Sequence, residues 1–474
     1  MATQTEPAPH RERLDSPIAA TEGRRGLATQ EEEELDAEIL ALGRRLARRR
    51  LSPQAVKRLP HERVTAIVGS DPQLRAALFQ LVDVAPACKD ASELAGHLDS
   101  FLGELAEGAL PVALAGRAAR GAASRSLTGR IAGIAINQMA HRFIVGVTPA
   151  AAAKELRRLW SRGSAVSVDL LGEATVTRDE GAAYAERCHE ALATLAAAAA
   201  RWPANPLLEH DSAGALPRAN LSVKVTALTP VIRAAAPERA REDAAGHLRA
   251  LLRRAREVGA HLHIDMESMD SRDLILGLVL DLLAEDEFRE GPSAGLVLQA
   301  YLRDSEKMLD EILAWTERTP RRQPLAVRLV KGAYWDQERI DAIQHGWSSP
   351  VWAEKADSDR CFERLSRRLI DSSGAVRPAI ASHNLRSVAH AISYARHVGL
   401  PTHDLELQVL RGLGDDLAEA IAREGYRGRV YCPVGDLVSG MAYLVRRLLE
   451  NTSNDSFLTD HAAGADLDLL LARP

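Results

Sequence analysis

Residues 428–457 read GRVYCPVGDLVSGMAYLVRRLLENTSNDSF. The run 430–434 is short and apolar, as a buried strand is. It turns at Gly435 into a pattern with Leu437, Met441, Leu444 and Leu448 on one stripe, which predicts a helix. On the other face of that helix stand Tyr443, Arg446, Arg447 and Glu450, three or four residues apart, so they project together from successive turns. Adjacent arginines present two forked cations that grip a planar carboxylate from two directions, which lysines do not. Such a face wants an anionic ligand. Alone, an RRxxE segment is better read as a solvated face with an Arg–Glu pair; the residues upstream change that reading.

Working back from this strand and helix, the same alternation runs as far as Gly163. Short apolar strands are expected at 166–171, 221–226, 262–266, 296–302, 326–330, 379–382, 405–410 and 430–434. Helical patterns lie between them at 181–201, 237–258, 271–284, 304–318, 358–371, 385–398 and 413–424. Strands separated by helices pair in parallel, and eight such units predict an α/β fold, a distorted (β/α)8 TIM-like barrel; a doubly wound open sheet is the competing arrangement. Upstream of Gly163 the texture is helical. Leu35, Ile39, Leu42 and Leu46 share one face, further helical segments are expected at 72–84, 91–107 and 131–146, and Thr148 with Pro149 reads as an N-cap and first-turn proline. The division expected is a disordered tail 1–30, a helical arm and domain 31–163, a barrel 164–460 and a C-terminal tail 461–474.

A barrel gathers its chemistry at the carboxyl ends of its strands. Polar residues fall at those places. Lys224 lies in the second strand, Asp265 and Glu267 end the third, and Gln299 and Tyr301 lie in the fourth. Lys331, Gly332, Tyr334 and Trp335 close the fifth, Ser382, His383 and Asn384 end the sixth, and Tyr431 lies in the eighth. Charges inside apolar strands are costly when unpaired, which argues for function over decoration.

Individual motifs leave alternatives open. His261, His263 and Asp265 share one strand face as HxHxD, a pattern that binds metal in barrel hydrolases, yet later strand ends supply only His383 as a further obvious ligand. Lys224 suits a Schiff-base lyase, an ion pair to Asp265, or, the preferred reading, a third cation beside Arg446 and Arg447 for a ligand carboxylate. There is no GxGxxG or GxxxxGK[ST] segment, so phosphates would fall to Arg328, Lys331 and the Gly332 backbone.

Composition narrows the class. The 474 residues are 46% hydrophobic and 26% charged with a net charge of −5, which gives no electrostatic case for nucleic acid. The four cysteines form no CxxC pair, so a reducing compartment is expected and neither a zinc site nor a disulfide framework. The first thirty residues lack the apolar core of a secretory signal, and no run of about 18 apolar residues suggests a membrane span.

Seven segments carry a resemblance: VSVDLLGEA, SVKVTAL, HIDME, VLQAYLRDS, VRLVKGAYWD, ASHN and YLVRRLLEN, in this order. Over about 131–457 the chain resembles the FAD-dependent proline dehydrogenases, above all the proline dehydrogenase portion of the bacterial bifunctional enzymes called proline utilization A. The resemblance implies FAD across the carboxyl ends of the strands. It implies that Arg446, Arg447 and Lys224 hold the carboxylate of L-proline, that Tyr431, Tyr443 and Tyr334 wall the pocket, and that Asp265 fixes its hydrogen bonds. By the same likeness Gln299, Arg328, Lys331, Gly332, Trp335, His383, Asn384, Glu450, Ser456 and Phe457 line the flavin. The implied reaction moves a hydride from the proline ring carbon to flavin N5, giving 1-pyrroline-5-carboxylate, with electrons passing on to a membrane quinone. A cytoplasmic chain visiting the inner face of the membrane follows, and so does an aldehyde dehydrogenase, as a domain or a separate chain, to receive the product. Two positions depart from the family pattern: Ala353 replaces an expected threonine, and Arg411 an expected tyrosine or histidine.

Overall fold

The computed structural model describes residues 29–50, 142–172, 175–232, 236–436 and 466–474, together with Glu93, Gly96, His97, Ser100 and Tyr443. Of the expected helices, that at 72–84, most of that at 131–146, and all of that at 91–107 but the helical residues Glu93, Gly96, His97 and Ser100 fall outside these residues. So does the arginine-bearing helix apart from Tyr443.

Eight strands close into a parallel barrel in sequence order. They are β1 (Ser164–Leu170), β2 (Asn220–Lys224), β3 (His261–Asp265), β4 (Ser293–Gln299), β5 (Leu325–Val330), β6 (Val376–Ala381), β7 (Glu406–Leu410) and β8 (Arg427–Val434). β8 pairs back onto β1 in register from Ser164 with Gly428 to Leu170 with Val434, which completes the ring. Every expected strand is present, shifted by one to a few residues at its ends. The competing open sheet is thereby excluded.

The strands obey a two-residue period with opposite chemistry on the two faces. In β2 and β3, Leu221, Val223, Leu262 and Ile264 are buried apolar residues of the main core. Asn220, Ser222, Lys224, His261, His263 and Asp265 alternate with them and are buried too. The outer apolar set packs under the helices, and the polar set faces the barrel axis. This barrel therefore has a charged interior, which the apolar runs alone do not announce.

The helices that return the chain from strand to strand are, after α1 (Thr29–Arg50) and α2 (Pro149–Ser161), α3 (Arg178–Ala199), α4 (Pro237–Val258), α5 (Met269–Ala284), α6 (Ser305–Arg318), α7 (Trp335–His345), α8 (Lys355–Asp371), α9 (Leu385–His397) and α10 (Asp415–Arg423). Thr148 caps α2 as its sequence predicts, accepting from the Ala151 N–H at 3.2 Å. Thr177 and Glu180 form a capping box on α3. The sequence reading omits α7, for a physical reason: its buried residues are Glu338 and Ala342, so it has no inward apolar stripe to reveal it. A small hairpin, His210–Asp211 with Gly214–Ala215, is a further addition.

Helix α1 lies on α9 and α10, and its stripe of Leu35, Ile39, Leu42 and Leu46 is buried as its spacing predicts. Residues 466–474 dock beside it. Leu471 is fully buried against Gly43, where a Cβ would come within 2.6 Å of a Leu471 methyl. Arg386 at the start of α9 ties these parts together: it donates to Asp36 at 2.6 Å, to Glu363 at 2.8 Å and to the Leu471 carbonyl at 3.1 Å.

Candidate active site

At the carboxyl end of the barrel, side chains from β2, β3, β5 and β8 converge on one carboxylate. Asp265 Oδ1 accepts from Arg328 Nη1 at 2.7 Å and from Ser222 Oγ at 3.1 Å. Its Oδ2 accepts the Tyr431 hydroxyl at 2.7 Å. The Arg328 guanidinium also lies 5.3 Å from the centre of the Tyr431 ring, so the cation, the acid and the phenol form one buried unit. Burial, reinforced by Asp169 and Asp265, pushes the Tyr431 hydroxyl well above its ordinary range. It therefore stays protonated and donates.

Lys224 makes a separate pair beside this unit. Its Nζ donates to Asp169 Oδ1 at 2.7 Å, and both side chains are buried. The expected structural partner of Lys224, Asp265, is committed instead to Arg328. Asp169 is the residue that sequence reasoning passes over. Its signal was available, since an acid inside the buried strand SAVSVDL obeys the argument that singles out Lys224.

The remaining expected residues divide by position. Gln299 donates to the Glu267 carbonyl at 2.9 Å across the ends of β4 and β3. Gly332 follows β5 with a φ of +134°, a conformation that L side chains rarely adopt, and a Cβ there would lie 2.2 Å from the Tyr301 ring. Tyr334 is the N-cap residue of α7, and Trp335 opens that helix with its indole N–H on the Trp352 carbonyl at 2.8 Å. His383 Nε2 accepts the Leu410 N–H at 2.8 Å, joining β6 to β7, and Asn384 caps α9 by accepting from the Ser387 N–H. Tyr443 is helical and buried. Arg446, Arg447, Glu450, Ser456 and Phe457 lie outside the described residues.

Arg328 and Lys331 do not come together as a joint phosphate clamp. Three residues apart on and after a strand, they face opposite ways: Arg328 goes to the axis, while Lys331 pairs with Asp359 on α8, an acid that Lys355 shares at 2.7 Å. The HxHxD histidines also form an inward arrangement of their own. His261 Nδ1 meets Ser293 Oγ at 2.9 Å and its Nε2 meets His263 Nδ1 at 3.1 Å. Burial, with nearby arginines, depresses both imidazoles, His261 to about 3. No group of three or more metal-ligating side chains occurs among the described residues. Of the departures, Arg411 bridges Glu155 on α2 at 2.7 Å and Asp415 on α10 at 3.1 Å, and Ala353 is exposed ahead of α8.

Comparison with known proteins agrees with this architecture. The proline dehydrogenase family profile matches residues 152–460, and that of the proline utilization A N-terminal domain matches 36–143. The bifunctional protein PutA of Salmonella typhimurium is 32% identical over 349 residues, 72% of this chain and 25% of its own length. The chain thus spans about a quarter of that relative. Proline dehydrogenase 1 of Bacillus subtilis is 27% identical over 67% of this chain and 89% of its own. Proline utilization A from Bdellovibrio bacteriovorus, crystallised after inactivation by N-propargylglycine, superposes with a TM-score of 0.84 at 33% identity, covering 93% of this chain and 44% of that one. A barrel closed in sequence order, a charged axis at its carboxyl end and a profile match over most of its length have one reading: the chain belongs to the proline dehydrogenase family.

Proposed function

We propose that this chain oxidises L-proline to 1-pyrroline-5-carboxylate with FAD as its cofactor. The observation that carries the reading is the Asp265–Arg328–Tyr431 unit with Lys224 and Asp169 beside it, at the barrel end where such folds keep their chemistry. Arg328 supports the cofactor. Its Nε and Nη2 are buried without a hydrogen-bond partner among the described residues, and two such donors on a planar cation suit the acceptor edge of a heterocycle. Bound FAD supplies a two-electron acceptor for the hydride.

The chain's own residues then have distinct tasks. Asp265 fixes the guanidinium and the phenol, so that neither reorganises when substrate arrives. Lys224 brings a cation for the substrate carboxylate, completed in this reading by Arg446 and Arg447. Tyr431, with Tyr443 and Tyr334, offers rings that favour a small apolar ring and crowd out a larger one. Together they hold the amino acid in a single orientation and exclude water from the reacting carbon.

We also infer that Lys331, Gly332, Trp335, Gln299, His383, Asn384, Glu450, Ser456 and Phe457 line the flavin, and that the chain divides into a helical region 31–163 and a barrel 164–460. The profile boundaries near 143 and 152 support that division. A membrane quinone is the acceptor we expect for the electrons, and an aldehyde dehydrogenase, fused or separate, the consumer of the product. No described helix is long and apolar enough to cross a membrane, so contact with a quinone pool would be made at the surface.

The test is the visible spectrum of the purified protein before and after anaerobic addition of L-proline. A flavin band that bleaches supports cofactor, substrate and direction of electron flow together. A band indifferent to L-proline overturns the substrate, and a protein that neither carries nor takes up flavin overturns the cofactor.

A further inference from the structure

The amino end of the barrel holds a second buried polar cluster that proline oxidation does not use. Asn220, His261, Arg377, Glu406, Arg427 and Arg429 line a cavity of about 30 Å³, walled also by Leu216 and Pro217 just after the hairpin. Glu406 is saturated: it accepts from Arg427 Nε at 3.0 Å, from Arg429 Nε at 2.7 Å and Nη2 at 2.8 Å, and from Gln408 Nε2 at 2.6 Å. Arg377 chelates Asp211 of the hairpin at 2.6 and 3.2 Å. Arg377 thus has its acid in the hairpin, while Arg427 and Arg429 share Glu406.

Asp211 and Asp404, the latter taking the Ser212 N–H at 2.8 Å, both stand behind the wall, so the lining itself sets three guanidinium groups against the one carboxylate of Glu406. His261 and His263 are neutral, since burial and the arginines depress them. Two donors at the wall also lack acceptors among the described residues. Asn220 uses its Oδ1 for Ser167, leaving Nδ2, and Arg427 spends Nε on Glu406 and Nη1 on the His403 carbonyl, leaving Nη2. An arginine-rich lining and two donors open to the cavity have the same complement, an acceptor that carries negative charge.

We propose that this cavity is a binding site for a small monovalent anion of halide size, held by Arg427 and Asn220. The space suits one such ion or one or two waters and is too small for sulfate or phosphate. The charge of the ion complements a lining in which arginines outnumber acids. The ion would help seal the hairpin, already tied down by Arg377, against the barrel, so its effect is on stability and not on turnover.

The experiment is thermal denaturation of the flavin-loaded full chain in sodium gluconate, chloride and bromide at constant ionic strength. Chloride and bromide are expected to raise the midpoint saturably by roughly 2–4 °C over gluconate. Asn220→Ala is expected to shift half-saturation to about tenfold higher halide, and Arg427→Gln to abolish the response. A response that never saturates, or one unchanged in both variants, overturns the site. Should Arg427→Gln fail to fold, crystals of the unaltered chain grown in bromide decide: an anomalous peak in the cavity supports the proposal, and water alone there overturns it.

Discussion

The two ends of the barrel bury charge in different ways. At the carboxyl end Asp265 gathers Arg328, Ser222 and Tyr431, yet Arg328 keeps two buried nitrogens without partners among the described residues. At the amino end Glu406 takes four donors and leaves its own oxygens nothing further to accept. The carboxyl-end carboxylate organises groups that still have donors to spend beside a strand end; the amino-end carboxylate ties β7 to β8, and the donors left there face only a cavity of about 30 Å³. Burial and charge alone do not distinguish these roles, and the space that the open donors face does.

This contrast can be broken by substitution. Asp265→Asn should lower kcat/KM for L-proline by roughly 10²–10³-fold, because the donors it fixes lose their preorganisation; steady-state kinetics on flavin-replete protein would show it, and near-normal turnover would remove Asp265 from the site. Glu406→Gln should do the reverse. Leaving two buried arginines without their acid costs about 3–5 kcal/mol of stability, read by urea unfolding, while kcat per bound flavin holds; a selective loss of kcat would erase the distinction between the ends. Tyr431→Phe deletes one hydrogen bond to a charged group, worth about 1.5–3 kcal/mol, and should reduce kcat/KM by roughly 10- to 100-fold with the flavin still bound. Equal kinetics for the two proteins would deny the hydroxyl any part.

The last test is pH. His261 and His263 bind protons less readily folded than unfolded, with His261 near 3 against an ordinary 6.5. Their contribution to stability is whole above 6.5 and is lost as the pH falls from there towards 3, with a slope approaching about 1.4 kcal/mol per pH unit for each. Glu406 adds a lower window, because its arginines, against burial, hold it far below 4.5 and its contribution fades only in stronger acid. Unfolding free energies that stay flat between pH 6.5 and 4.5 would contradict the histidine assignment.

The sequence makes the barrel legible because each strand is a short apolar run bounded by turns, and makes Lys224 and Asp265 legible because charge in such a run is costly. Asp169 obeys the same rule and is merely easy to overlook. The amino-end cluster is hidden for a different reason. Arg427 and Arg429 stand ahead of the apolar run 430–434, where polar residues read as loop, Glu406 is a single acid inside the expected strand 405–410, and their meeting depends on β7 and β8 pairing side by side. Pairings of acids with bases, such as Lys224 with Asp169, are likewise set by which strands become neighbours and by the tilt between them, not by spacing along the chain.

Arg386 has a consequence for how the molecule assembles. Asp36 and the Leu471 carbonyl meet on one guanidinium, although |i−j| from Arg386 is 350 to the first and 85 to the second. Bringing such distant segments together carries a loop-closure entropy that no local contact offsets, so this junction has nothing to form on until α8 and α9 are already in place. It raises the contact order of an architecture otherwise built from neighbouring β–α units. The junction therefore acts as a completion mark: protection of α1 amides from hydrogen exchange reports that the intervening barrel has closed.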